Sequence, residues 1–464
     1  MMTRRQFFGA PALLMAIPGT DARIEDLSIG FEDFRYRAPY KFGGREVDRV
    51  TMLNVHCRLR LKNGRSAQGY GAMSLGNVWS FPGLPYDTTL GAMKELAGRL
   101  ARVTRGFTEF AHPLDMNAAL EPEYLKTAAE TSRALRLSQP IPKLCTLVTA
   151  SPLDAAIHDA FGKLHGRSSF SVCGREFVKQ DLARYLNDDF RGEYLDQYIS
   201  QRPAKKIRMY HSVGASDPLT AADLTRPIRD GLPETLENWI PYSGVTAIKI
   251  KLNGNDLAWD VDRVARIDRV TTAAEAKRGF RDWIYSLDFN ERCPNVAYLL
   301  EFERKLNEKA ATAFSRVQYI EQPTARDLEA DRANTMFEAA KRKPVVIDES
   351  LTGLDRLLLA RQMGYTGVAL KACKGISQSF LLAAAAQKYK MFRCVQDLTC
   401  PGAALVESAA IAAHVPGVSA LEANAREYVP SASRGWEKRY PGIFIIKDGY
   451  LDTSGLNGPG LGTS

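Results

Sequence analysis

Val245-Thr246-Ala247-Ile248-Lys249-Ile250-Lys251 is a short apolar, β-branched run that ends on two lysines. Four more such runs follow, at residues 283–287, 317–320, 345–347 and 368–370, and each ends on a charged residue: Asp288, Glu321, Asp348 and Lys371. Each run is followed by a stretch with helical patterning. Runs of this length, bounded by turns and alternating with helices, read as parallel strands buried on both faces. The five charged ends are 37, 33, 27 and 23 residues apart, room for one strand, one helix and two loops. Further strand ends fall near Val213, Asp397 and Glu422, which makes eight βα units. The expected fold class is therefore α/β, a (β/α)₈ barrel whose C-terminal mouth gathers the charged groups.

Outward from the barrel, the chain predicts a second domain, because 464 residues exceed one ordinary core. Residues 47–61 alternate and are followed by Asn63-Gly64, a type I′ hairpin signal, and by a second alternating stretch at 68–73. A loop at 74–87 carries Trp79, and a helical pattern runs from 88 to 137. Residues 23–150 are thus expected to form an α+β capping domain, residues 151–430 the barrel, and 431–464 a return to the cap through a strand at 443–446. Ser151-Pro152 predicts a helix start, with Ser as N-cap and Pro at the first helical position. Residues 167–205 are polar and read as an insertion before the first barrel strand, near 207–213.

Composition sets the class. With 45% hydrophobic and 25% charged residues the chain is globular. The net charge of +9 is spread without a basic block, which argues against a nucleic-acid partner. Thr3-Arg4-Arg5-Gln6-Phe7-Phe8 and the apolar run to residue 17 predict a twin-arginine-type signal over residues 1–22, hence export to the periplasm or beyond without a stable membrane anchor. Seven cysteines without a CxxC pair predict free thiols.

Any one acid at a strand end usually caps the next helix. Three on successive strands are a different matter. Asp288, Glu321 and Asp348 form a hard oxygen set suited to Mg²⁺, with Mn²⁺ as an alternative. Side chains alternate along a strand, so Asp348 is expected to face the mouth and Glu349 to turn away, as a supporting group or the alternative ligand. The same alternation puts Lys249 and Lys251 on one face, where crowding of two ammoniums makes Lys251 a candidate base. Lys371 stands opposite as its partner. Lys374 lies in the following loop or first helical turn and is expected at the surface or in a structural role.

Lys-x-Lys, Leu287-Asp288-Phe289-Asn290-Glu291, Ile320-Glu321-Gln322-Pro323, Ile347-Asp348-Glu349-Ser350 and Leu370-Lys371-Ala372-Cys373-Lys374-Gly375 together resemble the enolase superfamily. More narrowly they resemble its muconate-lactonizing-enzyme branch, which includes dipeptide epimerases. The resemblance extends to the cap and to Asp154-Ala155-Ala156-Ile157-His158-Asp159, similar to the helix that leads into the barrel. It implies Mg²⁺ on Asp288, Glu321 and Asp348, with Lys251 and Lys371 as acid/base pair and Lys249 in support. Asn290 is implied near the metal, and Asp397, Glu422 and Trp79 near the substrate. The mandelate-racemase branch places a His at the seventh strand. That strand here ends Val395-Gln396-Asp397, without one. Dipeptide epimerases carry Asp-x-Asp at the eighth strand, where this chain reads Glu422-Ala423-Asn424.

The implied reaction is removal of the proton alpha to a small carboxylate through an enediolate, giving a racemase or epimerase. The alternatives are a cycloisomerase or dehydratase of the same superfamily and, more remotely, a non-catalytic exported acid-binding barrel. Homo-oligomers are common in such a family.

Overall fold

The computed structural model describes residues 19–463, so the expected signal segment lies outside the described residues up to position 18. Ala22, the last residue assigned to it, already starts a strand. Three antiparallel strands, β1 (Ala22–Phe42), β2 (Arg45–Leu61) and β3 (Ser66–Ser74), form the capping sheet in that order. Gly43-Gly44 joins β1 to β2 as a two-residue turn, with φ of 52° and 72°. Phe42 and Arg45 pair across it. Positive φ at both central residues is what a tight primed hairpin requires. The Asn63-Gly64 hairpin forms where expected, but its loop is four residues long and only Gly64 has positive φ. It is therefore not a type I′ turn.

Four helices complete the cap: α1 (Asn77–Ser80), α2 (Tyr86–Arg105), α3 (Pro113–Ala134) and α4 (Lys143–Leu164). The sequence placed the start of α4 at Ser151-Pro152. Instead Pro152 sits inside the helix. Proline removes the N–H that would bond to the Val148 carbonyl. Ser151 Oγ donates to that same carbonyl at 2.9 Å, so the helix continues without an orphaned acceptor. Almost all of α4 is buried. Gly69 and Gly71 of β3 lie so close to it that a Cβ on Gly69 would fall 2.2 Å from the Ala156 carbonyl oxygen.

Residues 165–205 contain four short 3₁₀ turns, and the segment buries Phe170, Phe177, Phe190 and Leu195. Then come the eight parallel strands β4 (Lys206–Val213), β5 (Ala247–Lys251), β6 (Ile284–Asp288), β7 (Val317–Glu321), β8 (Val345–Ile347), β9 (Gly367–Leu370), β10 (Phe392–Val395) and β11 (Val418–Glu422). Each pairs with the next, and β11 pairs with β4 to close the barrel. The expected (β/α)₈ barrel with an α+β cap is what forms. Helices α5 (Leu236–Ser243), α6 (Leu257–Arg278) and α7 (Val296–Lys309) begin the outer ring. The floor is plugged by Tyr210 and Tyr319, edge-on at 6.0 Å, with Val346 and Cys394 beside them.

The tail departs from its expected form. Pro441–Phe444 is a short helix rather than a strand, and β12 (Tyr450–Asp452) pairs antiparallel with β4. Beyond it the chain does reach the cap, where Leu461 N–H donates to Asp159 and the Thr463 hydroxyl to the Tyr70 carbonyl. All seven cysteines are free and buried. Among the described residues no helix is long and apolar enough to cross a membrane.

Candidate active site at the barrel mouth

Register builds the site. Lys251, Asp288 and Glu321 are direct partners across β5, β6 and β7, so their side chains share one level. Glu321 pairs with Val346, which places Asp348 two residues beyond the pairing, just past the end of β8. All four are buried, as is Lys249 one pleat below Lys251.

The ammoniums interlace with the carboxylates. Lys249 Nζ donates to Glu321 at 2.8 Å, to the Gln396 side-chain oxygen at 2.8 Å and to Glu422 at 3.1 Å, and lies 3.1 Å from Asp288. Lys251 donates to Asp288 at 2.5 Å. Lys371 lies 2.8 Å from Asp348 and donates to the Asp397 carbonyl at 3.2 Å.

Lys374 is not at the surface. It is buried, 3.1 Å from the other Asp348 oxygen and 2.5 Å from the Asp348 carbonyl. Ala372–Lys374 is a 3₁₀ turn capped by Lys371, and in that geometry residues three apart eclipse each other. Both lysines are thereby delivered to one carboxylate. The Lys-x-x-Lys spacing was the signal that would have found it.

Glu349 does not turn away either. It accepts from Trp79 Nε1–H at 2.9 Å and from the Asn290 amide at 3.1 Å. Strand alternation stops at Ile347, so it no longer governs Asp348 and Glu349. Asn290, with φ of 43°, also donates its backbone N–H to Asp288 at 2.8 Å. Asp397 accepts the backbone N–H groups of Thr399 and Asn424 at 3.2 and 3.1 Å, which ties its carboxylate to its own loop and to the chain just past β11. Glu422 belongs to the Lys249 network. Gln396, absent from the expected site, follows β10 directly and donates to Cys394 Sγ at 3.3 Å while accepting from Lys249.

Charge decides the electrostatics. Burial pushes Asp288 upward, but Lys251 and Lys249 outweigh it and hold the carboxyl at about 2. Asp348 is likewise held well below the usual range against burial, by Lys371, Lys374 and Lys249. Burial and then Asp288 raise Glu321 well above its ordinary value, with Lys249 offsetting only part. Burial and Asp348 push Glu349 to about 7, and burial and Glu422 push Asp397 to about 7. Lys249, though fully buried, is raised by the carboxylates of Glu321, Glu422 and Asp288.

Six buried carboxyl groups (Asp288, Glu321, Asp348, Glu349, Asp397, Glu422) thus face four buried ammoniums (Lys249, Lys251, Lys371, Lys374). Fully ionised, the six would exceed the ammoniums by two negative charges, which one divalent cation would balance; without it, burial and mutual repulsion hold Glu321, Glu349 and Asp397 toward their protonated forms. Glu321 Oε2, Glu349 Oε2 and Asn290 Oδ1 are buried without a hydrogen-bond partner, and buried oxygens of that kind call for one. The donor set is all oxygen, as a hard cation needs. Among the described residues no three acidic, His or Cys side chains stand ready to enclose an ion, since lysines lie between the acids. The residues fit Mg²⁺ in chemistry and charge, with side-chain movement required to bind it.

Above the charges lies a cavity of about 600 Å³ including its open mouth. Tyr36, Phe42, Arg49, Trp79 and Tyr86 of the cap form its roof, and Lys251, Lys371, Asn290 and Glu422 its floor. The loop expected at 74–87 contains α1, with Trp79 buried against the site.

The fold has close counterparts among solved structures. Muconate lactonizing enzyme from Pseudomonas fluorescens, in complex with muconolactone, is 19% identical with a TM-score of 0.62, over 96% of this chain and 97% of that one. The L-Ala-D/L-Glu epimerase from Bacillus subtilis, in a substrate complex, is 15% identical with a TM-score of 0.62, over 95% and 98%. N-succinyl Arg/Lys racemase from Bacillus cereus is 16% identical with a TM-score of 0.61, over 95% of each chain. At these identities the likeness concerns the fold. No curated protein matches the sequence. The model of the enolase C-terminal domain-like family matches residues 232–464, half of the chain and nearly all of its barrel, and the protein belongs to that family of the enolase superfamily.

Proposed function

We propose that the protein is an isomerase that moves the proton alpha to a carboxylate, acting as a racemase or epimerase with Lys251 and Lys371 as its two acid/bases. The observation that carries this is their placement. Lys251 ends β5 and Lys371 follows β9, four strands apart in a closed ring of eight, so the two ammoniums face each other across the mouth. A substrate carbon held between them presents one face to each.

Lys251, once neutral, takes the α-proton, and the substrate becomes an enediolate. Lys371 returns a proton to the opposite face. Positioned bases of this kind supply about 10²–10⁴-fold, roughly 3–5 kcal/mol, so the rest must come from stabilising the developing negative charge. Mg²⁺ held by Asp288, Glu321 and Asp348, with Mn²⁺ as a substitute, supplies electrophilic stabilisation of the substrate carboxylate when bound. Lys249, clamped among Glu321, Glu422 and Gln396, keeps the acids apart and fixed. The aromatic roof excludes water from the enediolate. The structural relatives are a muconate lactonizing enzyme in complex with muconolactone, an L-Ala-D/L-Glu epimerase and an N-succinyl Arg/Lys racemase, which makes small acids of these kinds the first candidates.

The test is exchange of the α-proton in D₂O by metal-loaded protein, offered each enantiomer separately. Lys251→Ala should abolish exchange from one enantiomer and Lys371→Ala from the other. Undiminished exchange in both variants would sink the two-base reading, and a ring-opened or dehydrated product would turn it to cycloisomerase or lyase chemistry.

Export is also proposed, on the twin-arginine signal alone. Fusing residues 1–22 to a reporter should send it out of the cytoplasm, and Arg4→Lys with Arg5→Lys should stop it.

A further inference from the structure

Trp79 belongs to the cap by sequence and to the barrel mouth by contact. Its indole is buried. Its Nε1–H donates to Glu349 Oε1 at 2.9 Å. The Lys371 ammonium stands 4.2 Å from the ring centroid, with Lys374 farther off at 5.7 Å. The turn that carries Trp79 is fastened from the barrel side: Arg326 donates to the Trp79 carbonyl at 3.0 Å, and the Ser74 hydroxyl to the Leu398 carbonyl at 2.7 Å. Gly76, at φ 51°, passes so near Leu398 that a Cβ would lie 2.4 Å from its Cδ2. The ring is therefore seated from both domains.

The other lysine has no ring so close. Phe42, also from the cap, lies 5.9 Å from Lys251, at the limit where attraction between a cation and a ring is counted. What places Lys251 is Asp288 of the adjacent strand, at 2.5 Å.

We infer that Trp79 is a positioning residue for Lys371, so that seating of the cap completes one of the two proton-transfer faces and leaves the other to the barrel alone. The indole face carries the ammonium in a dry setting, where this attraction is strongest. The Glu349 bond fixes the plane of the ring. Without the ring, only Asp348 at 2.8 Å and the Asp397 carbonyl at 3.2 Å hold the ammonium, and the four-carbon stem gains freedom to leave them. The roles of the two lysines rest on the proposed racemase reading, but the placement of Lys371 by Trp79 does not.

Two variants and two measurements test this, with folding checked by circular dichroism and melting. Trp79→Leu removes ring and N–H, whereas Trp79→Phe keeps a ring face and loses the Glu349 bond. In metal-free protein, lysine acylation read by mass spectrometry should speed up at Lys371 roughly tenfold in Trp79→Leu, less in Trp79→Phe, and stay unchanged at Lys251. With metal and an exchanging acid, Trp79→Leu should slow Lys371-dependent exchange by about tenfold or more while Lys251-dependent exchange holds within about threefold. Equal changes at both lysines, or none at Lys371, overturn the inference and leave Trp79 a space-filler. Selective labelling in a protein that exchanges no acid would uphold it and count against the racemase reading instead.

Discussion

Lys249 donates to Glu321 at 2.8 Å across the barrel interior, from β5 to β7, with both side chains fully buried. The same ammonium reaches Glu422 on β11, so one cation ties together three alternate strands of the ring. Alternate strands contribute to one layer of a barrel, which is why these residues meet.

Replacing Lys249 by Met keeps the volume and removes the charge. Glu321, Glu422 and Asp288 then lose their shared cation, and breaking a buried pair in this way costs about 3–5 kcal/mol. The melting temperature of Lys249→Met should fall sharply near neutral pH and recover in part as acid neutralises the carboxylates. An unchanged melting curve would mean the network relaxes without cost.

Divalent metal should act in the opposite sense. Mg²⁺ added to dialysed protein at a hundred times its Kd should stabilise the fold by about 2.7 kcal/mol, read as a rise in melting temperature. Glu321→Gln removes one ligand charge and should abolish most of that rise. A rise of the same size in the variant would place the cation elsewhere.

Glu303 on α7 predicts a pH dependence away from the site. It is fully buried, neither oxygen has a hydrogen-bond partner, and Arg342 comes no closer than 3.9 Å. Burial raises its pKa from 4.5 to about 7, with Arg342 and Lys343 offsetting only part. The folded state therefore holds this proton more tightly than the unfolded state. Its contribution is present in full below pH 4.5 and is lost as pH rises through 7, by about 1–3 kcal/mol. Glu303→Gln should match the parent protein at pH 4.5 and melt higher at pH 8. Equal melting at both would refute it.

The cap depends on two glycines. A Cβ at Gly69 would lie 2.2 Å from the Ala156 carbonyl oxygen and 2.3 Å from the Ala160 nitrogen, both main-chain atoms of α4. Overpacking of this kind costs about 1–3 kcal/mol. Gly69→Ala should lower the melting temperature and open the junction of β3 and α4 to limited proteolysis. Unaltered cleavage would show that the helix shifts freely.

β1 is not legible in the sequence, because most of its residues are half-buried or exposed and leave no clean alternation. Ser-Pro usually marks a helix start, but here the carbonyl that Pro152 frees is met by a hydroxyl that only the folded turn brings near. Glu349 faces the site because alternation ends with β8 at Ile347, and Lys374 is buried because the 3₁₀ turn after β9 folds it back onto Asp348.

The sequence by itself determined the barrel, its strand ends and the five charged groups at its mouth. Continuous apolar runs bury both faces of a parallel strand, and a charged residue ends such a run only where the strand meets its mouth. Tertiary structure alone decided which oxygen each lysine takes and that a cap tryptophan sits between Glu349 and Lys371. Those contacts join residues as far apart as Trp79 and Glu349. They are set by closure of the ring and seating of the cap, and no local pattern in the chain encodes them.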